Sequence, residues 1–375
     1  MILKGKTILL ISPQPWSEMY VSKHHYAIEL AKRGNKVYFL NPVLNSWDIN
    51  IRIEQHNNIE NIFIITYSSI ITYLTKFHAR KIYNLFIHMQ IKRILRKIGH
   101  PIDITWDFDC ANLYQTFSIF KSQLNIFHPV DKSNILIPPK KKPNIIISVS
   151  DEILKYYKHN NAPKLLINHG LSDSFVKKAL NNLQNKVSYK PNSTLQAFYF
   201  GNLMIPFLGH ENILIIIKKY PNITFNFFGF YSETGNYNPK SISFIKELKT
   251  YTNVVLYGVK SQSELISLSS KADIFFFYYL ESAAYSRDNS HKLLEYLATG
   301  KIIIGNALSA YQKSSLYMQA NTDKEWLDLF EKAVKNINYY NSIEKQRKRL
   351  EFAIKQSYEN HINSIEIFLS RLGFH

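Results

Sequence analysis

The chain has 375 residues, 46% of them hydrophobic and 20% charged, a balance that suits two soluble globular domains and excludes a disordered polypeptide. A formal charge of +18 and a pI near 9.5 point to polyanionic partners, whether nucleic acid, anionic lipid or a nucleotide diphosphate, while a codon bias towards Lys, Asn and Ile explains the same charge without any partner. The single cysteine, Cys110, excludes an intramolecular disulfide and a cysteine-based zinc site; with no export signal and no apolar run near the ~20 residues of a membrane span, a cytoplasmic location is expected.

β-Branched and aromatic runs alternate with helical periodicity along the whole chain, which predicts parallel sheets. Thr7 to Ile11 reads as a strand, Tyr20 to Arg33 as a helix stopped at Gly34, and Lys36 to Leu40 as the next strand, stopped at Asn41-Pro42. Further strands are predicted at Ile62 to Thr66, Ile102 to Trp106, Leu124 to His128, Ile145 to Val149 and Leu165 to Asn168, with a helix near Glu152 to His159. Residues 1–170 thus form a first domain, and the polar stretch 171–193 reads as a linker with one helix. A second series follows over 194–350, with strands at Leu195 to Phe200, Ile223 to Phe228, Val254 to Tyr257, Asp273 to Tyr279 and Lys301 to Gly305; the first three end at Gly201, Gly229 and Gly258. The C-terminal part, from Lys324, reads as helical throughout, and 351–375 is expected to pack back on the first domain.

One segment concentrates the chemistry. Leu293, Leu294, Leu297 and Ala298 recur at helical spacing, whereas Lys292, Glu295 and Thr299 share another face, and Gly300 closes the helix. Asp288, Asn289 and Ser290 supply capping side chains at its start, so the amides of the first turn are expected to face the crevice above the carboxyl edge of the sheet. A diphosphate fits there, with Lys292 as a point charge and Glu295 as acceptor for ribose hydroxyls. A solvated Lys/Glu pair is the alternative that spacing alone leaves open.

The run from Asn289 to Ile304, Asn-Ser-His-Lys-Leu-Leu-Glu-Tyr-Leu-Ala-Thr-Gly-Lys-Ile-Ile-Ile, resembles the donor-binding signature of bacterial family 4-like (group 1) GT-B glycosyltransferases. Tyr199-Phe-Gly-Asn-Leu203, Val255-Leu-Tyr-Gly-Val259 and Ala272-Asp-Ile-Phe-Phe-Phe277 look like further landmarks of that family in the same order. In the first half, Gln14-Pro-Trp-Ser17, Ala31-Lys-Arg-Gly34 and Asn41-Pro42 resemble the branch that makes cell-surface polysaccharides. The resemblance implies an α/β chain of GT-B type, two Rossmann-like α/β/α domains facing a cleft. It implies a nucleotide-sugar co-substrate and no other cofactor or metal, with the base near Val259 and the diphosphate near Gly201, Asn202, Asn289, Ser290 and Lys292. Where many members carry a first glutamate beside the donor sugar, this chain has Arg287, which leaves the sugar contacts and the stereochemical outcome open and makes Arg287 itself a diphosphate candidate.

Transfer to a hydroxyl needs a base, which the first domain is expected to supply. Asp131 is the first candidate and His128 the second, both following an apolar strand, with a helix cap as the other reading of Asp131. Asp107 and Asp109, also at a strand end, either orient the acceptor or cap a helix. Ser17, Lys23 and His24 are expected to meet acceptor or phosphate, against a purely structural role for a helical histidine. The basic, apolar helix predicted over 76–99 either lies peripherally on an anionic membrane or covers the sheet, and Lys140 to Lys142 add to the same basic half. The expected function is transfer of a sugar to a glycan or lipid-linked acceptor, as in capsule, lipopolysaccharide or exopolysaccharide synthesis. A GT-B nucleotide-sugar epimerase and a non-catalytic nucleic-acid-binding protein are the rivals, the latter without a recognisable nucleic-acid module.

Overall fold

The computed structural model describes the chain apart from residues 1, 18–19, 48–49, 70–74, 134–136, 139, 186–188, 281–288 and 313, and the side chains of residues 76 and 77. The chain divides into two compact units, Met1–Asn168 with Tyr358–His375, and His169–Ser357.

In the first unit the described elements run β1 (Thr7–Ile11), α1 (Ser22–Lys32), β2 (Lys36–Leu40), β3 (Leu44–Asn45), β4 (Arg52–Gln55), β5 (Ile62–Thr66), β6 (Ser68–Ser69), α2 (Thr75–His78), α3 (Arg80–Ile98), β7 (Ile104–Asp107), β8 (Leu124–Phe127), β9 (Ile145–Ser148), α4 (Asp151–Tyr156) and β10 (Lys164–Leu166). The main sheet has the order β10-β9-β8-β7-β1-β2-β5-β4, parallel except where β4 runs antiparallel on β5; β3 and β6 pair separately. Side-chain alternation along β1 sends Ile8 and Leu10 into one apolar cluster and Leu9 and Ile11 into another, so both faces of this sheet are covered. The chain leaves β1 towards β2 and later returns on its other side at β7, which makes the gap between β1 and β7 the point where the winding reverses.

The second unit runs α5 (Asp173–Asn185), β11 (Leu195–Phe200), α6 (His210–Lys219), β12 (Ile223–Phe228), α7 (Pro239–Leu248), β13 (Val254–Gly258), α8 (Gln262–Ser269), β14 (Ile274–Phe276), α9 (His291–Leu297), β15 (Ile302–Asn306), β16 (Met318–Ala320), α10 (Asp323–Lys335), α11 (Ile337–Tyr340) and α12 (Ile343–Lys355). Its strands, ordered β13-β12-β11-β14-β15-β16, are all parallel, and the reversal falls between β11 and β14. The segment expected as a linker carries α5, whose Phe175 and Ala179 are buried in this unit's core. The last helix, α13 (Tyr358–Arg371), belongs to the first unit, where Tyr358, Ile362, Ile365 and Leu369 join the cluster around Tyr26.

Several sequence expectations change in detail. The helix expected over 76–99 breaks at Ala79, and the stretch from Lys324 is four helices interrupted near Asn336, Asn341 and Gln356. β4 leaves no mark in the sequence, being a polar, largely exposed edge strand, Arg-Ile-Glu-Gln, without an apolar run.

Candidate functional site

Glycines mark the carboxyl edge of the second unit's sheet. Gly201, Gly229 and Gly258 end three neighbouring strands and are linked by backbone bonds, Gly201 N–H donating to Phe228 O (2.8 Å) and Gly229 N–H to Gly258 O (2.8 Å). Gly229 has φ +141°, and a Cβ there would lie 2.0 Å from Gly201 O; Gly201 has φ +149°, and a Cβ there would lie 2.6 Å from Lys292 Nζ. A side chain at Gly229 would collide with main chain, and one at Gly201 would displace the Lys292 ammonium, so main chain and that ammonium approach each other directly.

That ammonium stands at the reversal point. Lys292, on the first turn of α9, donates from Nζ to the Tyr199 phenol (3.2 Å) and lies 4.4 Å from the Tyr199 ring centre and 5.3 Å from that of Tyr279. Tyr199 sits on β11 and Tyr279 follows β14, the two strands flanking the reversal. Burial works against the charge, but the phenols of Tyr199, Tyr279 and Tyr296 outweigh it and hold Lys292 above the usual lysine range. Tyr296 is itself fixed, accepting from Phe200 N–H at 2.7 Å.

The other candidates in this unit surround that centre unevenly. Asn202 is exposed and its side chain is used locally, accepting from Met204 N–H (2.8 Å); Val259 is 60% exposed just past Gly258. Ser290 precedes α9 in the extended conformation usual for a capping residue, but contrary to the expectation its side chain makes no bond to the first turn. Asn289 is half-buried beside it; Arg287 and Asp288 lie outside the described residues. Glu295 faces His291, whose Nδ1 is 3.6 Å from its carboxylate, while His291 Nε2 donates to Gly170 O (3.1 Å). Desolvation raises the Glu295 carboxyl, against the pull of His291 and then Lys292.

At the carboxyl edge of the first unit polar side chains pack against one another, beside a cavity of about 200 Å³ lined by Ile11, Asn41, Asp109 and Tyr114. Asp107, 0% exposed, is locked by Lys141 Nζ at 2.5 Å, and Lys141 also donates to Asn112 Oδ1 (2.9 Å) and stacks over Phe127. The Lys140 to Lys142 run therefore hides one buried cation that neutralises Asp107 within the fold. Asp109 accepts from the amides of Ala111 (2.9 Å) and Leu113 (2.7 Å), shaping a turn. His128 is 0% exposed, its Nδ1 accepting from Trp106 Nε1 (3.2 Å) and its ring stacked on Phe108. His24, 1% exposed, caps its own helix through Nδ1 from Val21 N–H (3.1 Å), contacts Pro15 O through Nε2 (3.1 Å), and is pushed down to about 4 by burial. Ser17 and Asp131 are exposed. Lys23 is buried and bonded to Gln14; burial lowers its ammonium, opposed by Asp131, then Cys110 and Asp109. The structure thus brings Lys23 and Asp131 into one electrostatic group, with Cys110, whose thiol is pushed up to about 11 by burial.

Tyr199, Tyr279, His291 and Lys141 carry structural weight that the sequence reading assigned to none of them. Both tyrosines hide inside apolar runs, and Lys141 inside a charge run that reads as solvated.

No protein-family model and no curated protein sequence matches the chain. Solved structures do resemble it over nearly its whole length. A glycosyltransferase from Rickettsia africae ESF-5 is 15% identical, with a TM-score of 0.67 over 98% of each chain. An E. coli trehalose-6-phosphate structure bound with UDP-2-fluoro glucose is 12% identical, with a TM-score of 0.67 over 98% of each chain. Anabaena Alr3699/HepE, in complex with UDP and glucose, is 11% identical, with a TM-score of 0.61 over 96% of this chain and 99% of that one. The fold is GT-B. In GT-B terms the two parallel sheets are the two Rossmann-like halves, and the glycine-edged one is the C-terminal half.

Proposed function

We propose that the chain is a glycosyltransferase that moves a sugar from a nucleotide-sugar donor to a hydroxyl of a glycan or lipid-linked acceptor, in the synthesis of a cell-surface polysaccharide. The observation that carries the reading is the Lys292 ammonium, held charged by two tyrosines above the reversal point of a sheet whose neighbouring strands end in glycine. Ligands of open α/β sheets bind at such a point. A charge fixed there is suited to a leaving diphosphate, and glycines let phosphate oxygens reach main-chain amides. Solved structures of this fold with UDP, glucose and UDP-2-fluoro glucose bound agree with that chemistry.

In this reading Lys292 neutralises the departing diphosphate, Glu295 takes the ribose hydroxyls with His291 holding its carboxylate, and the base rests near Val259. Gly201, Asn202, Asn289 and Ser290 line the phosphate path. Asp131, exposed beyond the end of β8 and within electrostatic reach of Lys23, accepts the proton of the acceptor hydroxyl. No metal is required, since Lys292 supplies the countercharge.

A thermal-shift screen with UDP-, GDP-, CMP- and dTDP-sugars identifies the donor, because a ligand that binds only the native state raises the melting temperature. Asp131→Asn is expected to keep donor affinity and lower kcat by about a hundredfold or more. Failure of every nucleotide sugar to stabilise the protein sinks the reading, and unchanged turnover of Asp131→Asn removes that residue from it.

A further inference from the structure

We propose that the outer face of α3 docks the first unit on the surface of an anionic phospholipid bilayer. The helix buries Tyr83, Ile87, Ile91, Ile94 and Ile98 along one side. Its opposite side is divided lengthwise. In the N-terminal turns Ile82, Leu85 and Met89, spaced to share one face, are 54%, 60% and 53% exposed. In the following turns the same outward face carries Lys92, Arg93 and Arg96. Arg93, Arg96 and Lys97 line a surface depression of about 420 Å³ with Asn50 and Ile51. Lys97 reaches across to Ile51 O, which shapes that depression.

Charge selects the occupant. Residues 75–99 contain no acidic side chain, so nothing on the helix neutralises its cations. Nucleic acid accounts for the cationic turns but gives no reason to expose three aliphatic side chains in line with them. A bilayer surface accounts for both, with aliphatic side chains entering the acyl boundary and the arginines meeting lipid phosphates. The helix lies on the membrane and does not cross it, since no helix of the described residues is long and apolar enough to span one. This inference is independent of the sugar-transfer reading, because it uses no residue of that machinery.

The test is sedimentation of the full chain with vesicles of phosphatidylcholine alone and of phosphatidylcholine mixed with phosphatidylglycerol, without nucleotide sugar. The protein is expected to pellet with the anionic vesicles and to stay in solution with the neutral ones. Lys92→Gln combined with Arg96→Gln is expected to weaken partitioning about thirtyfold. Leu85→Ser combined with Met89→Ser is expected to remove the binding that survives at high salt. All four residues are exposed, so circular dichroism and melting temperature should match the parent. The proposal is overturned by a parent protein that ignores anionic vesicles, by both variants partitioning like the parent, or by a concentration-dependent dimer that Leu85→Ser with Met89→Ser dissolves.

Discussion

The two Rossmann-like units share a winding pattern and differ at their carboxyl edges. In the second unit, three neighbouring strands end in glycine and one lysine stands beside them among tyrosine rings, donating to the Tyr199 phenol. In the first, the corresponding positions hold Asp107, Asp109, His24 and His128, each engaged by neighbours within the same unit. Charge presented beside glycine backbone is available to a ligand. Charge paired inside a packed edge is spent on holding loops in place.

The contrast can be broken most forcefully by acid. His24 and His361, 1% and 5% exposed in the first unit, are both lowered to about 4 by burial. Their folded pKa lies below the unfolded value, so the unfolded chain takes up protons first. The stability they allow is complete above pH 6.5 and is lost as pH falls towards 4, by about 3 kcal/mol for each. Urea unfolding followed between pH 7 and 4.5 should show that loss, and a midpoint independent of pH over this range contradicts it. His210 adds a similar but half-buried contribution in the second unit.

A more local perturbation is Lys141→Met, which strands the Asp107 carboxylate in the core and is expected to cost about 3–5 kcal/mol. Pairing it with Asp107→Leu should restore most of that stability, since an apolar pair of similar volume replaces a buried ion pair at little net cost. A single variant within about 1 kcal/mol of the parent would show that the pair is not the lock described here. At the glycine edge the smaller test is Gly229→Ala. Its methyl group has no room against Gly201 O, and its φ of +141° disfavours a side chain, so about 2 kcal/mol of stability should be lost along with donor affinity. Parent-like melting and binding would mean that the glycine edge tolerates side chains.

Much of the fold was legible because parallel βαβ units write themselves as alternating apolar strands and periodic helices. The apolar strands from Thr7–Ile11 to Ile302–Asn306 fell within a few residues of expectation, whereas the short or polar β3, β4 and β6 were not foreseen. The lysine at the second unit's edge was singled out through the family resemblance of its segment, since helix spacing alone left a solvated pair open, and its tyrosine partners, as far as 93 residues away, were not legible. The first unit's edge was not. Asp107 and Lys141 lie 34 residues apart, and nothing in either local stretch announces that they meet. His24 and His128 carry the same residue type that catalysis would use, and only packing against Phe39 and Phe108 reveals them as enclosed rings. Ser290 looked like a helix cap because of its type and place, yet its side chain leaves the first turn alone.

Diphosphate recognition at this edge turns on one ammonium group, that of Lys292. Calorimetric titration of the parent and of Lys292→Ala with the nucleoside diphosphate of the donor that the thermal screen selects tests it directly. The expected result is tight binding by the parent and a loss of at least about thirtyfold, roughly 2 kcal/mol, in the variant, with melting close to that of the parent. Equal affinity of the two proteins would contradict the assignment of this edge as the diphosphate site.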